Sequence, residues 1–285
     1  MVRLFVTLLL FLLAPYWTHT ASAKPPRALP VDPSSLTNAS PDATAATNVA
    51  PVPPPLPLAV PGGINIDWFG HGFVYITSSF GVRAAIDPFG PTTVHYPFPP
   101  HITADFVLIS HEAEDHASLE DNQGRPLIFG HPLIYRSVAA VGLNRANGID
   151  FHGVSLQRDP NQDSGANTAF LLTFDGISMC YLGQIAAPLL PTEQDQLGHV
   201  DVVFLPVGLT GMTVAQLNQV ASQLGAKVII PINYKTEFSG DLQLRGLDEY
   251  LDGTHLPVRR FDTHEIALTP AALPAEPTVY VLKSP

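Results

Sequence analysis

The stretch "SHEAEDH", residues 110–116, follows the apolar run "ADFVLI" and sets His111, Asp115 and His116 in one short loop. Two imidazoles and a carboxylate at this spacing form one side of a divalent-metal site. A metal held there would acidify water and polarise a carbonyl or phosphoryl oxygen for hydrolysis. Ala113 stands where a second histidine would complete the pattern H-x-H-x-D-H, and its methyl group has no donor atom. The loop therefore has two readings. In one, His111, Asp115 and His116 hold a single metal weakly and recruit a histidine from elsewhere. In the other, they persist as polar packing in an inherited loop. His71, His95, His101, His131 and His152 lie outside the loop, and of these His71 and His152 follow strand-like runs.

The elements that would position the loop can be read from periodicity and punctuation. "ADFVLIS" has strand length, so the loop follows a strand. "INIDWFG" and "GFVYITS" read as strands joined by a turn at Gly70-His71-Gly72. "VRAAIDPF" is a third strand, ended by Asp87-Pro88, with Asp87 a turn residue that orients the neighbouring loop. "HPLIYRSVAAVGL" fits strand and helix alike. "TAFLLTF" and "ISMCYLG" form a hairpin turning at Asp175-Gly176. "VDVVFLPV", "KVIIPIN" and "TVYVLK" are further strands. "TVAQLNQVASQLG" is the clearest helix, N-capped by Thr213 and ended by Gly225, and "RGLDEYLD" is a short one. Strands at both ends with helices between them indicate an α/β or α+β domain.

Composition narrows the partners. The chain has 285 residues, 46% of them apolar, and a formal net charge of −11. A surface of that sign repels nucleic acid and anionic membranes. Residues 1–23, with Arg3 ahead of "LFVTLLLFLLA" and small residues up to Ala23, read as an export signal, giving a secreted or periplasmic protein with no transmembrane anchor in the mature chain. Residues 24–61 are rich in Pro and Ala and read as a disordered linker, and 62–285 as one domain. Cys180 is the only cysteine, so the fold relies on its core, and its apolar neighbours mark it as a buried, inert thiol.

The order of these motifs resembles the metallo-β-lactamase superfamily, and within it the ascorbate-6-phosphate-lactonase-like branch. "INIDWFGHGFVYI…GVRAAIDPF", "ADFVLISHEAEDH", "GANTAFLLTFDGISMCYLGQ", "LGHVDVVFLPVG", "VIIPINYKT" and "LTPAALPAEPTVYVLK" are collinear with that branch over residues 62–285. The resemblance implies a four-layer αββα sandwich with the site along one edge of two sheets. It also implies ligand positions for two metals, which this chain fills only in part. His111, Asp115 and His116 match. Ala113, Arg158, Gln184 and Asn233 occupy the positions of the second loop histidine, the third histidine, the bridging aspartate and the last histidine, and Tyr181 replaces a histidine that often precedes the bridging aspartate.

Too few donors remain on this count to hold two dications, because Gln and Asn amides are poor zinc ligands. The expectation is then that an Arg158–Asp115 ion pair stands in for metal, with Gln184 and Asn233 completing a neutral network. The reading that follows is a non-catalytic protein binding a small-molecule ligand or a protein partner in the old cleft, with no cofactor. The alternative is a hydrolase of ester, lactone or phosphoester bonds that uses zinc or manganese in a remodelled one-metal site, with Asp115 orienting the attacking water. A structural surface module is a third reading. Asn167 is expected to bond loop backbone, and Lys235 and Thr236 to be solvated or to meet an anionic substrate group. No G-x-S-x-G elbow, Walker loop or C-x-x-C framework is present.

Overall fold

The computed structural model of the chain describes residues 61–156 and 165–285. The segment read as an export signal, nearly all of the linker, and Arg158 lie outside the described residues. In chain order the strands are β1 (Ile64–Trp68), β2 (Val74–Ser78), β3 (Arg83–Ile86), β4 (Phe106–Ile109), β5 (Leu133–Arg136), β6 (Gly142–Ala146), β7 (Ile149–Leu156), β8 (Asn167–Phe174) and β9 (Ile177–Tyr181). They continue with β10 (Val202–Pro206), β11 (Val228–Ile232), β12 (Val258–Arg260), β13 (Glu265–Leu268) and β14 (Thr278–Val281). The helices are α1 (Pro191–Leu197), α2 (Val214–Gln223) and α3 (Leu247–Gly253).

The strands form two sheets. One has six strands in the order β13-β1-β2-β3-β4-β5, and the other has eight in the order β12-β14-β11-β10-β9-β8-β7-β6. Alternation along the six-stranded sheet explains its two buried faces. Ile64, Ile66, Trp68, Ile76, Ile86, Phe106 and Leu108 point into one core with residues of the eight-stranded sheet, such as Phe170, Leu172 and Phe204. Their neighbours Tyr75, Ala85, Val107 and Ile109 point the other way, under the aromatic cover of Phe73, Phe89 and Tyr96. That outer layer is loop rather than helix. The parallel strands β10 and β11 are buried at every residue, as strands covered on both faces must be. This is the α/β sandwich expected from the sequence.

Local chemistry sets the connections. Thr213 caps α2, accepting from Gln216 N at 3.3 Å, while the Gln216 side chain accepts from Thr213 N at 2.9 Å. Asp175 (φ 47°) and Gly176 (φ 77°) make the left-handed pair that a tight β8–β9 hairpin needs. The ambiguous stretch after Pro132 resolves into β5, a 3-10 turn at Ser137–Ala140 and β6. Among the described residues, no helix is long and apolar enough to cross a membrane.

One carboxyl pair sits in this framework at a cost. Asp67 on β1 faces Glu265 on β13 in the antiparallel register and is 2% exposed. Burial, and next the Glu265 carboxylate, raise the Asp67 pKa to about 7. An acid whose pKa is raised by folding stabilises the fold while protonated, so stability falls as pH climbs from about 4 towards the folded value. Asp67→Asn removes the like charge. Thermal melts between pH 4 and 8 are expected to lose this decline in the variant. At pH 8 the variant gains about 1–2 kcal/mol, roughly 2–8 °C for a domain of this size. An unchanged slope would contradict the assignment.

Candidate metal centre

The site forms where the β1–β2 turn meets the C-terminal ends of β4, β9 and β11. His71 occupies the turn with φ 47° between Gly70 and Gly72. Its carbonyl accepts from Trp68 Nε1 at 2.9 Å and from Asn233 N at 3.0 Å, so its backbone is held from two sides. Gly72 is required by space: a Cβ there would lie 2.5 Å from His116 Cε1 and 2.9 Å from the Tyr181 hydroxyl. Beyond β4, His116 N and Ala117 N both donate to Ala113 O, at 2.9 and 2.8 Å. This single turn lifts Asp115 and His116 towards His71.

The approach is close. His71 Nε2 lies 2.9 Å from Asp115 Oδ2, and His116 Nε2 lies 3.7 Å from the same oxygen. One ligating atom from each of His71, Asp115 and His116 falls within 4.8 Å of the others. Asp87, His111 and His116 make a second such group. The Asp87 carboxylate, however, is committed internally. Its Oδ1 accepts from Ser110 N at 2.7 Å, and its Oδ2 meets the Ser110 hydroxyl, His116 Nδ1 at 3.1 Å and the Tyr181 hydroxyl at 2.9 Å. His111 Nδ1 is 2.8 Å from Ser110 Oγ and 4.0 Å from Asp87 Oδ2. Asp115 is 19% exposed, whereas Asp87 is fully buried. The first group therefore has an open side, while the second is a sealed support. Two imidazoles and a carboxylate with one open position match the donor set of a catalytic zinc or a similar ion. Asp87 acts from behind, fixing the His116 ring through Nδ1 so that Nε2 faces Asp115.

The electrostatics agree. Burial works to raise the Asp115 carboxyl, but the His116 and His71 imidazoles outweigh it and hold the group well below the usual carboxylate range. Burial lowers His71. His116 is raised, because the carboxylates of Asp115 and Asp87 overcome its burial. The cluster is thus a buried negative field that already attracts a positive charge. Burial and the Asp87 charge push the Tyr181 hydroxyl far up, so it remains a donor. Burial likewise pushes up the Cys180 thiol, as its apolar neighbours indicated.

The residues singled out in the sequence separate as follows. His111, Asp115 and His116 come together, and His71 joins them from the strand turn that preceded it. His95, His101 and His131 are exposed, and His152 sits in β7 opposite Leu143 and Leu171. Asp87 orients the metal loop, as read, but its bond to His116 was not foreseen. Gln184 N donates to Asn167 Oδ1 at 2.9 Å, and Asn167 Nδ2 donates to Leu182 O, so Asn167 does bond loop backbone. Lys235 Nζ donates to Gly240 O and Leu242 O, tying its own loop, and Thr236 Oγ1 meets Tyr96 OH at 2.5 Å. Asp115 meets His71 and His116 among the described residues, and the expected pairing with Arg158 lies outside them.

The family model of the beta-lactamase superfamily domain matches residues 65–233. The chain belongs to the metallo-β-lactamase superfamily. A relative from Methanoregula boonei named UPF0173 metal-dependent hydrolase is 27% identical over 190 residues, covering 61% of this chain and 83% of the relative. One of the same name from Archaeoglobus fulgidus is 24% identical over 217 residues, covering 65% of this chain and 93% of the relative. A solved structure from Thermotoga maritima, classed by name among Zn-dependent hydrolases of the superfamily, matches with TM-score 0.62 and 29% identity, covering 78% of this chain and all of that one. These relatives and the His71–Asp115–His116 group overturn the expectation of a non-catalytic protein with a degraded, cofactor-free site. Counting donors at inherited positions alone left out His71, which enters from another strand turn.

Gly72→Ala tests the packing of this metallo-β-lactamase site. Its backbone needs no glycine conformation, so the effect is the collision with His116. The variant is expected to fold with a loss of about 1–3 kcal/mol and to bind metal more weakly by chelator competition. Unchanged metal affinity would show that the ring is not held where it is described.

Proposed function

We propose that the chain is a metal-dependent hydrolase working through a one-metal site formed by His71, Asp115 and His116, with His111 beside them as a packing residue. The convergence of three ligand atoms, two from the metal loop and one from the β1–β2 turn, carries this reading. Zinc suits two imidazoles and a carboxylate best, and manganese is the second choice. Such an ion supplies Lewis acidity for a carbonyl or phosphoryl oxygen and acidifies water. The protein does the rest. His71 and His116 hold their rings by buried contacts, the second through Asp87. Asp115 would help hold such an ion, and its partly exposed carboxylate could accept a hydrogen from water at the open side of the site.

The bonds that fit this chemistry are esters, lactones and phosphoesters. A cyclic ester is the first choice because of the resemblance to the lactonase-like branch in "ADFVLISHEAEDH" and "VIIPINYKT". Protein purified without chelator is expected to carry about one zinc or manganese per chain by elemental analysis. His71→Ala and Asp115→Ala each lose that metal and lower hydrolysis of p-nitrophenyl acetate or γ-butyrolactone on the order of 100-fold, while His111→Ala keeps the metal. Metal-free protein with no thermal shift on adding zinc or manganese would overturn the proposal.

A further inference from the structure

We propose that the side of the sandwich formed by β5 and β6 is the docking surface for a second copy of this chain, giving a twofold dimer. None of His71, Asp115 and His116 belongs to this face, so it stands apart from the hydrolase reading.

The two strands are the ends of their sheets. β5 closes the six-stranded sheet and β6 the eight-stranded one, and the Tyr135 hydroxyl, donating to Arg145 O at 3.0 Å, ties them side by side. An end strand presents a row of backbone N–H and C=O groups, which proteins blunt with charge or cover with another element. The far end of the eight-stranded sheet is blunted in this way: two of the three β12 residues are arginines, and Arg259 lies over the Phe261 and Tyr280 rings. β5 and β6 differ. Leu133, Ile134, Val138, Val141 and Leu143 are five of the nine exposed large apolar side chains among the described residues, and all fall between residues 133 and 143. Leu133 and Ile134 point to opposite faces of β5, yet each is about half exposed, so neither face is covered there. Leu143 shares the outer face of β6 with Arg145 and is 86% exposed. The apolar strip therefore crosses the side of the sandwich from one sheet to the other.

Size and charge select the occupant. The five side chains leave roughly 500 Å² in water, near the top of the range for the largest patch on an ordinary monomer. The exposed stems of Arg136 and Arg145 bring the face to about 800 Å², the share each partner gives to a standard interface. With a net charge of −11, two copies repel over most of their surface. Residues 122–149 are the exception, with three arginines and no Asp or Glu. Two of those arginines have a carboxylate beside them: Arg136 Nη1 donates to Glu112 Oε2 at 2.6 Å, and Arg145 Nε lies 3.3 Å from Asp150 Oδ1. An apolar strip rimmed by both signs is complementary to itself, as an interface between identical surfaces must be.

The test is sedimentation equilibrium of the purified protein and of Leu143→Glu, Val138→Glu and Phe80→Glu. Phe80 is as exposed as Leu143 but lies in the β2–β3 turn, so it serves as the control. Wild type is expected at twice the chain mass with a Kd of about 1 µM or below, the weak end for interfaces of this size. Leu143→Glu and Val138→Glu each set a carboxylate among apolar contacts and are expected to raise the Kd at least about 30-fold, with circular dichroism unchanged. Phe80→Glu is expected to dimerise as wild type does. Wild type that stays monomeric at about 50 µM, far above such a Kd, would overturn the inference. So would Glu variants that dimerise like wild type, or a Phe80→Glu protein that dissociates as they do. Monomeric wild type that floats with vesicles of phosphatidylcholine and phosphatidylglycerol assigns the face to lipid and equally rules out the dimer. If one Glu variant does not fold, the other decides.

Discussion

The Asp87 carboxylate is fully buried, and an isolated charge in that position would be prohibitively costly. It is tolerable because Ser110, His116 and Tyr181 all turn towards it. These residues belong to different elements: Asp87 ends β3, Ser110 ends β4, His116 sits in the metal loop and Tyr181 ends β9. Satisfying one carboxylate therefore requires both sheets to be in register at this edge. The His116 ring is oriented as a consequence. The Tyr181 hydroxyl extends the constraint to the β1–β2 turn, since it also lies 2.9 Å from Gly72 O.

Backbone strain gathers around the same point. Of the eight non-glycine residues with positive φ among the described residues, His71, Asp87 and Asn233 belong to this cluster. Each such residue is held against its preference by surrounding structure. What holds them here is the sandwich core, with β10 and β11 buried throughout and Trp68 reaching under the turn to bond His71 O. The cluster is built on the ends of rigid strands, so the small displacements that would relax the strain are opposed by close packing.

Much of this architecture was legible in the sequence because it is local. The Asp175-Gly176 hairpin, the capped α2 and the apolar runs of β4, β10 and β11 each announce themselves over a few residues. Elements with weak local signals were not read. In α1 the buried residues are Glu193 and Leu197, with Glu193 turned back to cap the helix at Leu190 N, so no apolar stripe shows. β12 is exposed at all three residues and owes its place to pairing with β14. The metal loop was legible from its spacing, whereas the role of His71 was not. Its partner Asp115 is 44 residues away, and the antiparallel β1–β2 turn brings them together. His71 was one of several histidines that the loop could recruit, and nothing local distinguished it from His152, which also follows a strand-like run.

The same contrast explains why a donor tally along the chain misjudged the chemistry. Ala113, Gln184 and Asn233 supply no charged or imidazole ligand, and a count restricted to those places predicts an empty cleft. Coordination depends on where lone pairs converge, and the group of His71, Asp115 and His116 includes a residue of the β1–β2 turn that such a tally omits. His71 and His116 both approach the same Asp115 oxygen, at 2.9 and 3.7 Å. Of the two carboxylates in the cluster, Asp87 is consumed by internal donors, leaving the charge of Asp115 for a bound cation. One carboxylate and two neutral imidazoles complement one dication with room for water and leave a second without a counter-charge. The neutral residues at the older positions are then consistent with a one-ion site, because a further carboxylate there would have no cation to face and would itself bear the burial cost that Asp87 escapes through its neighbours.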